Sequence, residues 1–307
     1  MRDGVVSGLD GVAKSLNVND GPPLPEELPE ADWQGDELEV IFRRDASVYD
    51  GRFANNSWLQ EFPDPMTKLT WGNAALLGPS TAERLGVGND MLVTLAVGER
   101  QVEIPAYIVP GVAAGTVVVS LGYGRTAAGS VGGDEADDTP PVGTDVYPLR
   151  TSDSMHVAVG ATLTPTGRQY PLAGTQDHHA IDTVGRVGRE KRVGVLIREA
   201  TLDHYREHPD FARHAVHHPP LKSLWKEPSF EGYRWGMSID LSRCTGCGAC
   251  VLACQAENNV PVVGKKQVRL GREMHWLRVD RYFQGDPNAP RVAQQPLPCQ
   301  QCELAPC

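Results

Sequence analysis

Seven cysteines carry the reactive chemistry of this chain, and all of them lie at or beyond position 244. The first group is Cys244-Thr245-Gly246-Cys247-Gly248-Ala249-Cys250-Val251-Leu252-Ala253-Cys254, a C-x2-C-x2-C-x3-C run. The second group is Cys299, Cys302 and Cys307. The irons of a four-iron, four-sulfide cluster take soft thiolate ligands. Two-residue spacers let one tight loop present three sulfurs to one cubane, and the fourth cysteine of such a run reaches a different cluster. Gly246 and Gly248 allow the backbone conformations and close approach that the loop requires. Residues 251–253 read as the start of a short helix that carries Cys254 away from the first cluster.

Other cysteine chemistries fit less well. One zinc ion needs four ligands, typically as paired knuckles, and four cysteines within one short run are too dense for it. A disulfide scaffold is disfavoured by the odd count and by the absence of cysteine before position 244. Isolated reactive thiols do not account for the regular spacing. Ligand counting then leaves a gap. Cys244, Cys247 and Cys250 supply three positions of one cluster, and Cys299, Cys302 and Cys307 supply three of a second. Cys254 either completes the second or serves a cluster whose other ligands are elsewhere. In both cases one cluster is not closed, so the chain is expected to be a fragment of a longer protein. Proline usually follows the fourth cysteine; Gln255 stands here, which favours a larger multi-cluster relative over a simple two-cluster carrier.

The elements that must position these residues are read from pattern. Residues 1–36 are an irregular, loop-rich lead-in. Residues 37–43 alternate as a strand. Ser80-Thr81-Ala82-Glu83 reads as a capping box opening a short helix that ends at Gly86 or Gly88. Residues 91–97, 102–109 and 116–121 are Val/Ile/Leu-rich strands between glycine turns, and 157–163 is a further strand. Residues 199–220 read as a helix and then a linker containing five of the nine histidines; a polar linker explains them better than a metal site. Residues 235–241 and 276–282 are expected to be strands, the first delivering the chain to Cys244. The expected fold is α+β, mainly β. It divides into the lead-in 1–36, a barrel domain 37–198, a His-rich linker 199–234 and an iron–sulfur domain 235–307.

Hydrophobic content of 40% and charged content of 22% are ordinary for a globular protein. The net charge of -10 argues against nucleic acid as a partner and permits a basic one, such as a small cytochrome. The acidic run 134–138 reads as a solvated loop. No run reaches the ~18 apolar residues of a membrane span. The first residues show neither an apolar signal core nor a twin arginine, so no targeting signal is expected in this chain.

Residues 255–264 (Gln-Ala-Glu-Asn-Asn-Val-Pro-Val-Val-Gly) and 271–276 (Gly-Arg-Glu-Met-His-Trp), with the cysteine run, make the segment 236–307 resemble the multi-cluster electron-transfer subunits of molybdopterin oxidoreductases. Segment 66–122, with Gly-Pro-Ser-Thr-Ala-Glu-Arg-Leu-Gly-Val, resembles their pterin-dinucleotide-binding barrel, a double-psi β-barrel. Barrel first and ferredoxin-type module second, together with residues 53–61 and 175–179, resembles the iron–sulfur subunit family of bacterial alternative complex III, a membrane quinol oxidase. The resemblance implies a barrel without molybdenum cofactor and a module that, at full length, holds three four-iron clusters and one three-iron cluster. It also implies that Cys254 joins the cluster of a fourth cysteine group, while Cys299, Cys302 and Cys307 are completed by a third. Its implied partners are membrane quinol-oxidising subunits and cytochrome c-type subunits, on the periplasmic face of the inner membrane.

Three functions compete on these residues. The first is an electron relay with no substrate-converting site. The second is the electron-transfer part of a true molybdopterin-dependent oxidoreductase, and the third an assembly scaffold without cofactor. No spare cysteine exists to ligate molybdenum, and the order of the two modules favours the relay. His178 and His179 read first as packing against the iron–sulfur module, with contact to a quinol as the sharper alternative. His275 and Trp276 read as packing near a cluster.

Overall fold

Six strands close into a barrel in the order β1-β6-β3-β5-β4-β7. The computed structural model describes residues 37–176, 185–217 and 236–300, with scattered positions between 219 and 233. The lead-in, His178, His179, Cys302 and Cys307 lie outside the described residues.

Strand β1 (Leu38–Arg43) buries Leu38, Val40 and Phe42 and turns its other residues outward, the two-residue period of a half-buried strand. The short β2 (Leu69–Thr70) lies outside the barrel. Then come β3 (Ala75–Leu77), β4 (Met91–Val97), β5 (Arg100–Ile108) and β6 (Thr116–Ser120). Val93, Leu95, Ile104, Val117 and Val119 meet inside at essentially zero exposure. β1 runs parallel to β6, and β3 parallel to β5, between otherwise antiparallel neighbours. β7 (Val157–Gln169) closes the barrel: its start pairs with β1 and its remainder with β4. It is longer than the alternation at 157–163 indicated. Its register shifts against β1 between Leu38 and Val40, where Gly160 sits at φ 71 and supplies the extra residue of a bulge.

Short helices decorate this frame: α1 (Ser57–Glu61), α2 (Pro79–Leu85), α3 (Gly129–Gly132), α4 (Gly185–Leu196), α5 (Leu202–Glu207) and α6 (Phe211–His214). The capping box expected at Ser80 does not form. Helix α2 begins earlier, with Gly78 as N-cap and Pro79 in the first turn, so Ser80 is already helical. It ends as expected at Gly86, at φ 65, whose N–H bonds back to Glu83. The helix expected from 199 starts at Leu202, where the Thr201 hydroxyl accepts the His204 N–H.

The C-terminal segment contributes α7 (Ala249–Glu257), α8 (Lys265–Val268) and the antiparallel hairpin β9 (Arg278–Gln284) and β10 (Arg291–Leu297). The strand expected at 235–241 does not form over its described part, 236–241. Residues 236–240 run without regular structure, and Met237, Ile239 and Leu241 are exposed. Among the described residues no neighbouring strand offers them a hydrogen-bond ladder, and alternation alone does not make a strand.

This segment packs on the barrel's outer surface. Phe283 of β9 joins Leu69, Leu76 and Val109, and Phe62 joins Val251 and Val279. Trp71 packs with Ala173 of β8 (Ala173–Gly174) and with Val268. Gln176 pairs with the backbone of Arg281 in both directions: its Nε2 donates to the Arg281 carbonyl at 2.6 Å, and its Oε1 accepts the Arg281 N–H at 2.8 Å, as a strand would. Among the described residues, no helix is long and apolar enough to cross a membrane.

Candidate metal centre

The cysteine loop is built by a turn and ended by a helix. The Asp240 carboxylate accepts the Ser242 N–H, and the Asp240 carbonyl accepts the N–H groups of Arg243 and Cys244. Cys244 thus enters on a fixed turn. Gly246 and Gly248 follow at φ 68 and φ 74, in the left-handed region. Gly248 is the N-cap of α7, so Cys250 lies in its first turn and Cys254 one turn on. Four residues of helix advance about 6 Å, which separates Cys254 from the loop as the spacing predicted, although the helix starts two residues earlier than read.

A side chain at either glycine would force its neighbour to move. A methyl on Gly246 would lie 2.4 Å from Gln294 Cδ of β10, and one on Gly248 would lie 2.6 Å from Phe62 Cζ. The loop is therefore pressed between the hairpin and the tip of α1.

The thiol of Cys247 is acidified by the Ala249 N–H and the Thr245 hydroxyl, both of which stabilise the thiolate. Burial pushes the Cys250 thiol the other way, and negative charge on Cys247 and Cys244 adds to that rise. Such repulsion among neighbouring thiolates is relieved when each meets an iron. Asn258 Nδ2 lies 2.9 Å from the Cys254 carbonyl and 3.7 Å from its Sγ, a donor aimed at sulfur. Donors of this kind tune cluster potentials.

The structure places Cys244 and Cys247 on the loop, Cys250 in the first turn of α7 and Cys254 one turn further along the same helix. Cys299 is exposed beyond the end of β10. No three His, Cys, Asp or Glu side chains converge on one point among the described residues. A cubane does not ask for that, since each thiolate binds a different iron corner. Thiolate ligands alone, glycines admitting close approach and N–H groups aimed at sulfur all fit an iron–sulfur cluster. They fit zinc less well.

Residues 235–256 match the family model described as "4Fe-4S binding domain". The chain carries a 4Fe-4S binding domain. The chain is 45% identical over 75 residues to the menaquinone reductase iron–sulfur cluster-binding subunit of Nitratidesulfovibrio vulgaris, covering 24% of this chain and 29% of that one. It is 32% identical over 92 residues to iron–sulfur subunit 1 of the Hdr-like menaquinol oxidoreductase of Archaeoglobus fulgidus, with 25% and 33% covered. It is 35% identical over 74 residues to the iron–sulfur subunit of the arsenate respiratory reductase of a Shewanella species, with 24% and 27% covered. The chain thus spans about a third or less of the length of these relatives. Acetylene hydratase from Pelobacter acetylenicus aligns over 41% of this chain and 18% of its own at TM-score 0.32 and 16% identity, a likeness below what establishes a shared fold.

Phe62, Gln294 and Asn258 are the residues around the 4Fe-4S domain to which sequence reasoning assigned no role. The glycines of the run were the available signal, because a glycine in the left-handed region often marks another group pressed against it. The identity of that group is not local information. His275 is partly buried, with neither ring nitrogen hydrogen-bonded among the described residues. Burial lowers its pKa and the nearby Glu61 partly restores it.

Proposed function

We propose that this chain is the iron–sulfur electron-transfer subunit of a membrane-associated quinol:acceptor oxidoreductase of the alternative complex III type. The observation that carries the reading is a 4Fe-4S binding domain whose cysteine loop rests on Phe62 at the tip of α1 and whose strand β9 packs through Phe283 on the six-stranded barrel. Relatives named for menaquinone and menaquinol chemistry support the quinol side.

In this reading Cys244, Cys247 and Cys250 bind one cluster, Cys254 a second, and Cys299, Cys302 and Cys307 a further one; a three-iron cluster belongs to the full-length protein. The bound clusters supply one-electron transfer. The chain's own residues hold them, exclude water on the barrel side and direct N–H groups at sulfur. The barrel (37–198) is of double-psi type and serves as support, without molybdopterin; 199–234 is a linker and 235–307 the ferredoxin-type part. Partners are quinol-oxidising membrane subunits and cytochrome c-type subunits, and the protein lies peripherally on the periplasmic face.

The test is to purify the full-length gene product with its membrane partners and to measure iron, acid-labile sulfide and molybdenum together. Iron and sulfide in cluster stoichiometry without molybdenum are expected. Stoichiometric molybdenum or tungsten would overturn the relay reading and direct the search to a substrate. The crossed ligand assignment has its own check: C247A should remove one cluster signal in electron paramagnetic resonance and C254A a different one. Loss of the same single cluster in both variants sinks that assignment.

A further inference from the structure

The tip of α1 holds the cysteine loop from the barrel side. Phe62, the residue capping α1, is 6% exposed and packs with Val251 of α7 and Val279 of β9. Its ring fills the space where Gly248 lacks a side chain. The preceding residue, Glu61, is 1% exposed. Its carboxylate accepts the Val263 N–H at 3.1 Å, the Gly264 N–H at 2.7 Å and the Trp71 indole N–H at 2.9 Å. One turn earlier, Trp58 Nε1 donates to the Val260 carbonyl at 3.0 Å. Helix α1 therefore touches the start of α7 through Phe62 and fixes the chain after its end through Glu61 and Trp58.

We propose that Glu61 and Phe62 are positioning residues for the cluster held by the cysteine loop. Phe62 closes the inner side of the loop to water and sets its distance from the barrel. Glu61 locks the 260–264 segment so that α7 cannot slide against that ring. The proposal rests on the reading of Cys244, Cys247 and Cys250 as ligands.

Two physical consequences follow. Solvent exposure is one of the terms that set a cluster's potential, and water favours the more negatively charged reduced site. Removing the ring should therefore raise the midpoint potential and open the loop to chelators. The contact between Phe62 and Gly248 is also direct, so substitutions at the two positions must couple.

The experiment uses the full-length protein with its partners and the variants F62A, F62L, G248A and G248A/F62A. The readouts are iron and sulfide per chain, the midpoint potential by spectroscopically monitored titration, the rate of iron loss to a chelator, and Tm. F62A is expected to raise the potential and speed iron loss about fivefold, with F62L restoring most of both. G248A is expected to lower cluster content, and F62A in the same chain to recover part of it, since the ring no longer clashes. The left-handed φ stays costly for alanine in either background, so recovery is partial. Additive effects of G248A and F62A, or an F62A variant that loses Tm while its potential stays unchanged, would overturn the proposal and leave the ligand reading intact. Wild-type protein free of iron and sulfide would overturn both. If F62A does not fold, F62L and G248A still decide through the potential and through cluster content.

Discussion

Lys68 is 3% exposed and adopts φ 62, between the barrel and β9. Burial lowers its amine to about 8, Arg281 pushes it further, and Asp64 and Asp280 pull it back. Below pH 8 both folded and unfolded chains hold the proton, and the cost of burying the charge is constant. Between about 8 and 10.5 the unfolded chain keeps a proton that the folded one has shed, so stability rises with pH. Lys68→Met, which keeps the side-chain length without the charge, should stabilise the protein by about 1–2 kcal/mol at pH 7. The gain should shrink toward pH 10, and Tm measured at both pH values checks it. An equal gain at both would show that the charge is not the cause. The contrast with the cysteines shows what a sequence makes legible at this scale. Cysteine spacing is local and dictated by the geometry of one inorganic core. The burial of Lys68 and the partners of Glu61 depend on which distant segment comes to rest there.

Among the elements, the strands were legible where alternation or a Val/Ile/Leu run met a neighbouring strand. β1, β4, β5, β6 and β9 appear close to the expected bounds, because one face of each is pressed into a core. Residues 236–241 alternate as well but have no strand partner among the described residues. β10 went unread because Arg-Val-Ala-Gln-Gln-Pro-Leu alternates weakly and contains Pro296, which the free edge of a two-stranded hairpin tolerates. The capping box was a true sequence pattern defeated by Pro79, which is better suited to the first helical turn than Ser80 is to the cap. At the junction of β9 with the barrel, Gln176 replaces a strand. Gln176→Ala should cost about 1–3 kcal/mol, because the Arg281 N–H and carbonyl lose their partner in a half-buried place. Amide hydrogen exchange at Arg281 should speed up selectively, and an unchanged rate there would refute the strand-like role.

At the scale of the whole molecule, the described residues form an asymmetric core. The main apolar cluster draws on Leu38 through Leu163 and contains no residue of the cysteine segment. The cysteine segment relies on smaller clusters shared with the barrel surface. Stripping the iron with a chelator should therefore raise hydrogen exchange across 244–257 while β1, β4 and β6 stay protected. A barrel that loosens together with the cysteine loop would show that the clusters support the entire fold. The half-buried carboxylate of Asp64 is likewise held by its own neighbourhood. Burial alone would raise the Asp64 carboxyl, but the Arg43 guanidinium and the N–H groups of Thr67 and Met66 outweigh it and hold it below the usual range. Its stabilising effect is present above the ordinary carboxylate range and fades only as acid brings the pH through its lowered pKa.

The grip of α1 also imposes an order on synthesis. Trp58 bonds to a carbonyl 202 residues later, and Glu61 to an N–H at the same separation. At about 5–20 residues per second, the ribosome delivers those partners roughly 10–40 s after α1 has emerged. For that interval Phe62 and its neighbours are an uncovered apolar tip on a nascent chain whose barrel strands are already being made. The cysteines arrive in the same late stretch as the residues that cover this tip, so metal loading and the last docking step compete for the same moment in the life of the polypeptide.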